Sequence, residues 1–343
     1  MWYTADMDWQ TDLIQWYIAS CRDLPWRKTR DPYRIWLSEI MLQQTRVAAV
    51  IPYYERFLEA LPTVSDLAAA EDDRLLKLWQ GLGYYSRAKN LKRAAIRIES
   101  DFDGKLPDTY RALLTLPGIG SYTAGAIASI AFGERVPAVD GNVLRVLARL
   151  FDDSRDVADP HTKDAVFGEL STKLPDDAGT FNQAMMELGA CVCLPNGAPL
   201  CETCPLRAHC RALENGTVAL RPVKSKKQPR AVQPMTVFVL QRGESFLIRK
   251  RPEKGLLGGL YELPCRDGTL SPADAAQAIG AMGLRPVGAI SQYERRHIFT
   301  HREWHMRVFV AAVAADTPPD GWLWYDGTQS LPTAFSVCLP EKT

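Results

Sequence analysis

The chain has 343 residues, with 41 Lys+Arg against 40 Asp+Glu and a net charge of +1. Its 46% apolar and 24% charged residues are the balance of a folded globular protein, which excludes a mainly disordered chain, a collagen-like chain and a disulfide miniprotein. The length suits two domains with cores of ordinary size. No apolar run is long enough to span a bilayer. The N-terminus has two Asp by residue 8 and no basic stretch ahead of an apolar one, so it does not read as a signal peptide and points to a reducing compartment. The neutral balance speaks against a globally basic coat for nucleic acid and leaves local basic patches open.

From residue 8 to about residue 213 the chain reads as helix after helix. TDLIQWYIASC, IWLSEIMLQQ, DRLLKLWQGL, SRAKNLKRAAIRI, SYTAGAIASIAF and NVLRVLARLF each repeat apolar residues at three- and four-residue spacing. Turn signals such as Asp31-Pro32, Leu61-Pro62 and the stretch from Gly104 to Pro107 separate them.

Glu39 lies in IWLSEIMLQQ, which is apolar on nearly every side. Burial there raises a carboxyl pKa unless the group is paired, as a general acid near neutral pH requires. The alternative is a Glu on the rim, facing solvent or capping a turn. Leu116-Pro-Gly-Ile-Gly120 sits between two helices, with Gly118 and Gly120 freeing the backbone for a tight turn. The helix starting at about Ser121 offers free N–H groups that can hold a phosphate without a basic side chain. A plain helical corner is the competing reading, and the small residues of SYTAGAIASIAFG favour DNA binding. Asp140 immediately precedes a helix and is a favoured N-cap. That role is compatible with chemistry, since glycosidic cleavage uses one protonated and one ionised carboxyl group around a cation-like sugar. Asn142 can hydrogen-bond within the same turn.

Five of the eight Cys fall within CVCLPNGAPLCETCPLRAHC: Cys191, Cys193, Cys201, Cys204 and Cys210. In a reducing compartment such crowding reads as a metal site rather than a disulfide framework. Only Cys201 and Cys204 form a C-x2-C knuckle, so the spacing suits an iron–sulfur cluster better than a zinc ribbon, with zinc and an unliganded loop still open. Cys21, Cys265 and Cys338 are scattered and read as buried or inert.

Residues 217–234 hold three Pro and five Lys/Arg without an acid, and read as an interdomain linker with a basic face. From Met235 the period changes to two. MTVFVLQ and SFLIRKR flank a hairpin signal at Arg242–Ser245, WHMRVFVAAVAA reads as another strand, and SPADAAQAIGAM as a short helix. The last third is therefore a small α+β domain. His297, His301 and His305 are spaced by four, but their strand-like context makes a zinc site a poor reading.

Together these stretches resemble the MutY-type adenine DNA glycosylases, within the helix-hairpin-helix glycosylase superfamily that includes endonuclease III. The resemblance rests on LPWR (24–27), WLSEIMLQQT (36–45), GLGYYSRAKNL (81–91), LPGIGSYTAGAIAS (116–129), VDGNVLRVLARL (139–150), FNQAMMELGA (181–190) and the Cys loop. A looser match covers RPEKGLLGGLYELP (251–264) and HIFTH (297–301). The fold it implies is an all-α helix-hairpin-helix glycosylase region with a cluster loop over residues 1–216, the linker 217–234, and an α+β Nudix-like domain over 235–343. The implied activity is removal of adenine opposite 8-oxoguanine, and also opposite guanine, leaving an abasic site. Glu39 would protonate the departing adenine and help activate water. Asp140 would stabilise the oxocarbenium-like sugar, through charge or a transient covalent bond, with Tyr122 and Asn142 in support. Arg22, Leu24, Trp26, Arg27 and Glu187 would form the adenine pocket, and Gln44 and Tyr84 would enter the stack as the base flips out. Leu116, Gly118 and Gly120 would contact the DNA backbone. Cys193, Cys201, Cys204 and Cys210 would hold one 4Fe–4S cluster, with Cys191 extra.

The resemblance also implies a monomer acting on double-stranded DNA in the cytoplasm or bacterial nucleoid, with no membrane contact and with replication or repair proteins as possible partners. Several positions stand out. Tyr122 occupies the position where endonuclease III-like lyases carry a Lys, and a tyrosine cannot form a Schiff base, so a monofunctional enzyme is expected. The cluster loop has seven residues between Cys193 and Cys201, where six are usual, and LPNGAPL lacks basic residues, leaving Arg207 or Arg211 to substitute. Phe299-Thr300-His301 stands where the family has Phe-Ser-His, the 8-oxoguanine reader. Between Pro264 and Leu284 the only acids are Asp267 and Asp274, too few to hold Mg2+ for Nudix hydrolysis. The readings set against this one are an endonuclease III-like glycosylase/lyase, a silent iron–sulfur DNA-binding protein and a nucleotide pyrophosphohydrolase.

Overall fold

A computed structural model describes residues 8–225 and 229–340. The start of the N-terminus read above as lacking a leader, and residues 226–228 of the linker, lie outside the described residues. The chain divides into two units: residues up to Ala69 together with Lys89–Lys226, and Ala70–Ala88 together with the chain from Lys227 onward. No described helix is long and apolar enough to cross a membrane.

Fourteen α-helices run in chain order among the described residues. They are α1 (Asp8–Ser20), α2 (Pro32–Leu42), α3 (Val47–Ala60), α4 (Val64–Ala69), α5 (Asp72–Trp79), α6 (Ser86–Asp101), α7 (Tyr110–Leu113), α8 (Ser121–Phe132), α9 (Gly141–Leu150), α10 (Pro160–Ser171), α11 (Ala178–Cys191), α12 (Arg211–Glu214), α13 (Pro272–Ala281) and α14 (Thr333–Ser336). Aspartates start four of them: Asp31, Asp140, Asp159 and Asp177 accept N–H bonds at the heads of α2, α9, α10 and α11. In the first unit α2 packs on α3 and α8, and α11 packs on α1, α8 and α9. Trp9, Leu13, Leu147, Leu170, Phe181 and Leu188 form the core where α1, α9, α10 and α11 meet.

Two close approaches set the site. Gly189 on α11 sits against the head of α9, where a Cβ would lie 2.5 Å from Asn142 Cβ. Asn182, 1% exposed, stitches the extended stretch after α8: it accepts from Ala138 N at 3.1 Å and donates to Val136 O at 2.9 Å and to Ser129 Oγ at 2.9 Å. That stretch delivers Asp140 to α9.

The second unit is a mixed sheet in the order β3-β2-β1-β6-β5, with β4 on β1 and β7 on β2. The strands are β1 (Ala231–Arg242), β2 (Ser245–Lys250), β3 (Tyr261–Glu262), β4 (Cys265–Asp267), β5 (Pro286–Ile298), β6 (Arg302–Val313) and β7 (Leu323–Trp324). β1 and β6 pair in parallel, from Ala231↔Arg302 to Gln241↔Ala312, while the other pairs are antiparallel. The expected hairpin closes at Arg242↔Ser245, with Gly243 at φ +60. The sheet has a core on each face: α13 buries Ala275 and Ile279 against Phe309, and α14 buries Phe335 near Trp304.

The extents differ from the sequence expectation at two places. Residues 217–225 dock on the first unit and β1 already starts at Ala231, so only a few residues of the expected linker 217–234 remain between the units. Residues 70–88, expected within the catalytic region, group with the C-terminal part. Tyr261 donates to Asp73 at 2.9 Å, Lys250 pairs with Asp73 at 3.1 Å, and Ser330 donates to Leu76 O at 3.0 Å.

Asn182→Ala removes three buried hydrogen bonds and leaves a backbone N–H and C=O unpaired. It should cost about 2–4 kcal/mol of unfolding free energy in urea denaturation. A loss below about 0.5 kcal/mol would contradict the role given to this residue.

Candidate active site

A cavity of about 790 Å³ opens in the first unit between α2, α8, α9 and α11. Among the residues lining it are Arg22, Leu24, Trp26, Arg27, Glu39, Gln44, Tyr122, Asp140, Asn142 and Glu187. The structure thus gathers ten of the positions singled out from sequence, drawn from five separate stretches of chain.

Glu39 sits on a helix buried from Ile35 to Met41, and is itself 6% exposed. Burial pushes its carboxyl up to about 7; Tyr122 works against that shift, and the nearby Asp140 adds to it. Tyr122, the second residue of α8, donates its hydroxyl to Glu39 Oε2 and also reaches Met186 Sδ at 3.1 Å. Its own pKa is raised well above the usual tyrosine value by burial and by Glu39, so it remains a donor.

Asp140 has a different environment. Its Oδ1 accepts from Asn142 N and Val143 N, each at 2.8 Å, and its Oδ2 accepts from Asn142 Nδ2 at 2.7 Å. Burial raises this carboxyl above the usual aspartate value, and the bonds from Val143 and Asn142 and the charge of Arg145 offset only part of that rise. All three donors address an ionised carboxylate. Arg145, 7% exposed, donates to Asn142 Oδ1, to Gly189 O and to Cys193 O, each at 2.8 Å. It thereby fixes the amide that faces Asp140. The site therefore pairs a carboxyl group that burial pushes up to about 7 with one whose three N–H donors favour the ionised form. This is the division of labour that acid-assisted glycosidic cleavage requires. Among the described residues lining the cavity there is no lysine.

Glu187 anchors the opposite wall. It is 2% exposed and takes Arg22 Nη2 at 2.5 Å, Arg27 Nη2 at 2.7 Å and Arg22 N at 3.1 Å. Burial alone would raise this carboxyl, but the donors from Arg22 and Arg27 outweigh it and bring it to about 2. Trp26, on the short turn Pro25–Arg27, is buried edge-on to Tyr54 at 5.4 Å.

Two expected stacking residues share a backbone signature. Gln44 has φ +57 and Tyr84 has φ +46, left-handed values that are costly for residues with a Cβ. Gln44 lines the cavity, whereas Tyr84 belongs to the second unit and is 45% exposed. There its hydroxyl lies 3.4 Å from Thr300 Oγ1. Phe299, Thr300 and His301 form the turn between β5 and β6. Phe299 is anchored edge-on between His297 at 4.6 Å and Trp304 at 4.9 Å, while Thr300 and His301 are exposed. The hairpin Leu116–Gly120 turns through Gly118 at φ +77, where a Cβ would lie 2.7 Å from Asn90 Cβ. Gly120 caps α8 with no side-chain hydrogen bond, so the first N–H groups of that helix have no side-chain cap.

Cys193, Cys201, Cys204 and Cys210 line one small cavity, and none is in a disulfide. Cys191 is not in that lining and interacts instead with Arg22 and Glu187. Among the described residues no group of three or more His, Cys, Asp or Glu is arranged to hold a single metal ion. Arg207, expected to stand in for the missing loop cations, pairs with Glu202 at 2.8 Å.

Sequence reasoning missed Arg145, Met186, Gln43 and Asn182. Gln43 lines the cavity and donates to Thr123 Oγ1 at 3.3 Å. The available signal for Arg145 was a cation in the otherwise apolar NVLRVLARL, where it has to be buried or turned outward.

Residues 37–174 match the model of the HhH-GPD superfamily base excision DNA repair proteins, and residues 236–338 match that of the NUDIX domain. The adenine DNA glycosylase of Mus musculus is 34% identical over 97% of this chain and 76% of its own length. That of Homo sapiens is 35% identical over 96% and 72%. Among solved structures, a thermostable thymine-DNA glycosylase superposes with a TM-score of 0.55 at 29% identity, covering 61% of this chain and 96% of that one. A non-covalent endonuclease III–DNA complex, at 24% identity and a TM-score of 0.52 over 62% of this chain and 99% of that one, shares the fold. Two unlike carboxyl groups in one cavity, a helical repair domain and a Nudix-like domain in one chain, and these relatives lead to one conclusion: the chain belongs to the adenine DNA glycosylases, enzymes that remove adenine from DNA in base excision repair.

Proposed function

We propose that this enzyme removes adenine paired with 8-oxoguanine, and also with guanine, by hydrolysis alone and leaves an abasic site. The observation that carries the proposal is the pairing of Glu39, near pKa 7 beneath Tyr122, with the thrice-donated carboxylate of Asp140 in one lysine-free cavity.

The N-glycosidic bond breaks with its electron pair going to adenine, and protonated Glu39 supplies the proton that neutralises the leaving base. The sugar gains positive charge, which Asp140 stabilises at short range in a site of low dielectric. Glu39, now a carboxylate, takes a proton from the water that attacks C1′, and Tyr122 steadies it by donating a hydrogen bond. The rigid ties of Asn142 and Arg145 keep Asp140 from turning away as charge develops. Glu187 holds Arg22 and Arg27 as oriented donors for the ring edge of a flipped adenine. The uncapped N-terminus of α8 and the Leu116–Gly120 turn suit a backbone phosphate. Gln44 and Tyr84 fill the stack.

8-Oxoguanine differs from guanine by a carbonyl O8 and a protonated N7. Thr300 can donate to the first or accept from the second, and Tyr84, beside it, offers a ring to stack on and a second hydroxyl. Cys193, Cys201, Cys204 and Cys210 fit a 4Fe–4S cluster, because the four thiols face one cavity and the buried Arg149 donates to Cys193 Sγ at 3.3 Å. Bound there, the cluster would tie the stretch from Cys201 to Cys210 to Cys193, just beyond the end of the helix that carries Glu187; it supplies no step of the hydrolysis.

Because protonated Glu39 is the active form, single-turnover excision should be full below about pH 7 and fall about tenfold per unit above it, with Glu39→Gln slow and flat. A flat wild-type profile would contradict the assignment. Asp140→Asn should abolish excision while DNA affinity stays nearly unchanged, because the charge acts on the transition state; parallel losses in binding and turnover would refute that division. Thr300→Val should lower the preference for 8-oxoguanine over guanine opposite adenine about five- to tenfold, and an unchanged ratio would remove this turn as the reader.

A further inference from the structure

Residues 211–225 lie beyond the last of the four cavity cysteines, yet they stay with the first unit. α12 is followed by a turn in which Thr217 N donates to Ala212 O at 2.8 Å and Gly216 stands at φ +70. The turn brings Val218 back so that it lines the cysteine cavity together with Leu213 and Leu200. From there the chain runs along the segment that follows α9. Val157 N donates to Val223 O at 3.0 Å, and Asp156 bridges Val223 in parallel.

Two aspartates hold this strap. Asp152 accepts from Thr217 Oγ1 at 2.6 Å and from Asn215 Nδ2 at 3.0 Å, and pairs with Arg221 Nε at 2.8 Å. Both partners of that ion pair are only 15% exposed, and Asp152 takes the left-handed φ +53 to make these bonds. Asp156 accepts from Ser225 Oγ and from Ser225 N. Neither aspartate has a chemical role in the glycosylase site.

The strap also touches the cysteines through Arg149, which is 6% exposed. Its Nε donates to Arg221 O at 3.0 Å, and its Nη1 donates to Cys193 Sγ at 3.3 Å and to Leu194 O at 2.9 Å. The strap's carbonyl is thus one of the acceptors that fix this buried guanidinium, and the guanidinium in turn addresses the Cys193 sulfur.

We propose that residues 217–225 form a locked outer wall of the cluster cavity, with Asp152 and Asp156 as positioning residues that keep solvent out and aim Arg149 at Cys193. The proposal rests on the cluster reading above. Loosening the strap withdraws Val218 from the cavity and frees Arg149 Nε from its acceptor. The cluster is then more open to oxidants and chelators, and it loses a hydrogen bond to sulfur that favours its more negative, reduced state.

The test compares purified full-length wild type with Asp152→Asn, Asp152→Glu, Ser225→Ala and Val218→Ser. Iron and sulfide are counted first, and a wild-type chain without them overturns the cluster reading itself. With the cluster present, Asp152→Asn and Val218→Ser should lose its visible absorption about tenfold faster under ferricyanide with a chelator, in line with the weight of outer-shell partners elsewhere. Ser225→Ala should lose it by a smaller factor. Asp152→Asn should also lower the midpoint potential, and Asp152→Glu should restore part of both effects. Equal loss rates and an unmoved potential in folded variants would overturn the proposal, as would a lowered Tm alone. If Asp152→Asn fails to fold, Ser225→Ala and Val218→Ser decide by the same loss rates.

Discussion

Asp140 begins a helix, and in the proposed reaction it also presents an anion to the sugar; both tasks need the head of α9 to stay where it is. A helix cap is worth about 1 kcal/mol, too little to hold a charged group against the pull of a developing cation. The structure adds contacts from three directions. Gly189 lets α11 press against Asn142, Asn182 ties down the extended stretch that leads into Asp140, and Arg145 grips Asn142 from below while reaching the backbone of Gly189 and Cys193. Asn142 and Arg145 both belong to α9, so the carboxylate is oriented by the helix that it caps.

The contrast between the two carboxyl groups follows from this arrangement. Glu39 is delivered by a helix buried on nearly every side, where the Tyr122 hydroxyl is its one side-chain donor among the described residues, and burial pushes it up to about 7. Asp140 meets backbone amides, a side-chain amide and, behind them, a guanidinium. The number of donors that each local structure supplies, one hydroxyl for Glu39 and three N–H groups for Asp140, sets the two carboxyl groups apart. Glu187 marks the far limit of the same scale: two arginines bring it to about 2, and it serves as an anchor for cations rather than as a proton carrier.

The sequence made the helical repeats, the strand pairs and the main candidate site residues legible because each carries a local signature. A Glu inside an apolar helix, an Asp before a helix, a Pro-Gly turn and crowded Cys can all be read within a short window. What escaped depends on partners far along the chain. Asn182 and Arg145 act through partners 44 to 53 residues away, and nothing in their own windows names those partners. The helix α5 shows a buried face in Leu75, Leu76 and Trp79, but a buried face does not say what buries it, so its grouping with the C-terminal part was hidden. The basic linker looked free for the same reason, since Asp152 and Asp156 lie more than sixty residues upstream of the groups that they hold.

The second unit brings Tyr84, from the N-terminal half of the chain, beside Thr300 of the β5–β6 turn, so residues 216 positions apart meet. The proposed function assigns hydrolysis to a pair of carboxyl groups in one unit and reading of the opposite base to a hydroxyl-bearing turn in the other. Single-turnover base release is the most direct test of that description. Duplexes carrying adenine opposite 8-oxoguanine, guanine and thymine would each be quenched with and without alkali. The account predicts release from the 8-oxoguanine duplex first, from the guanine duplex more slowly and little from the thymine duplex, with strand breaks only after alkali. Strand cleavage without alkali, or equal release from all three duplexes, would contradict it.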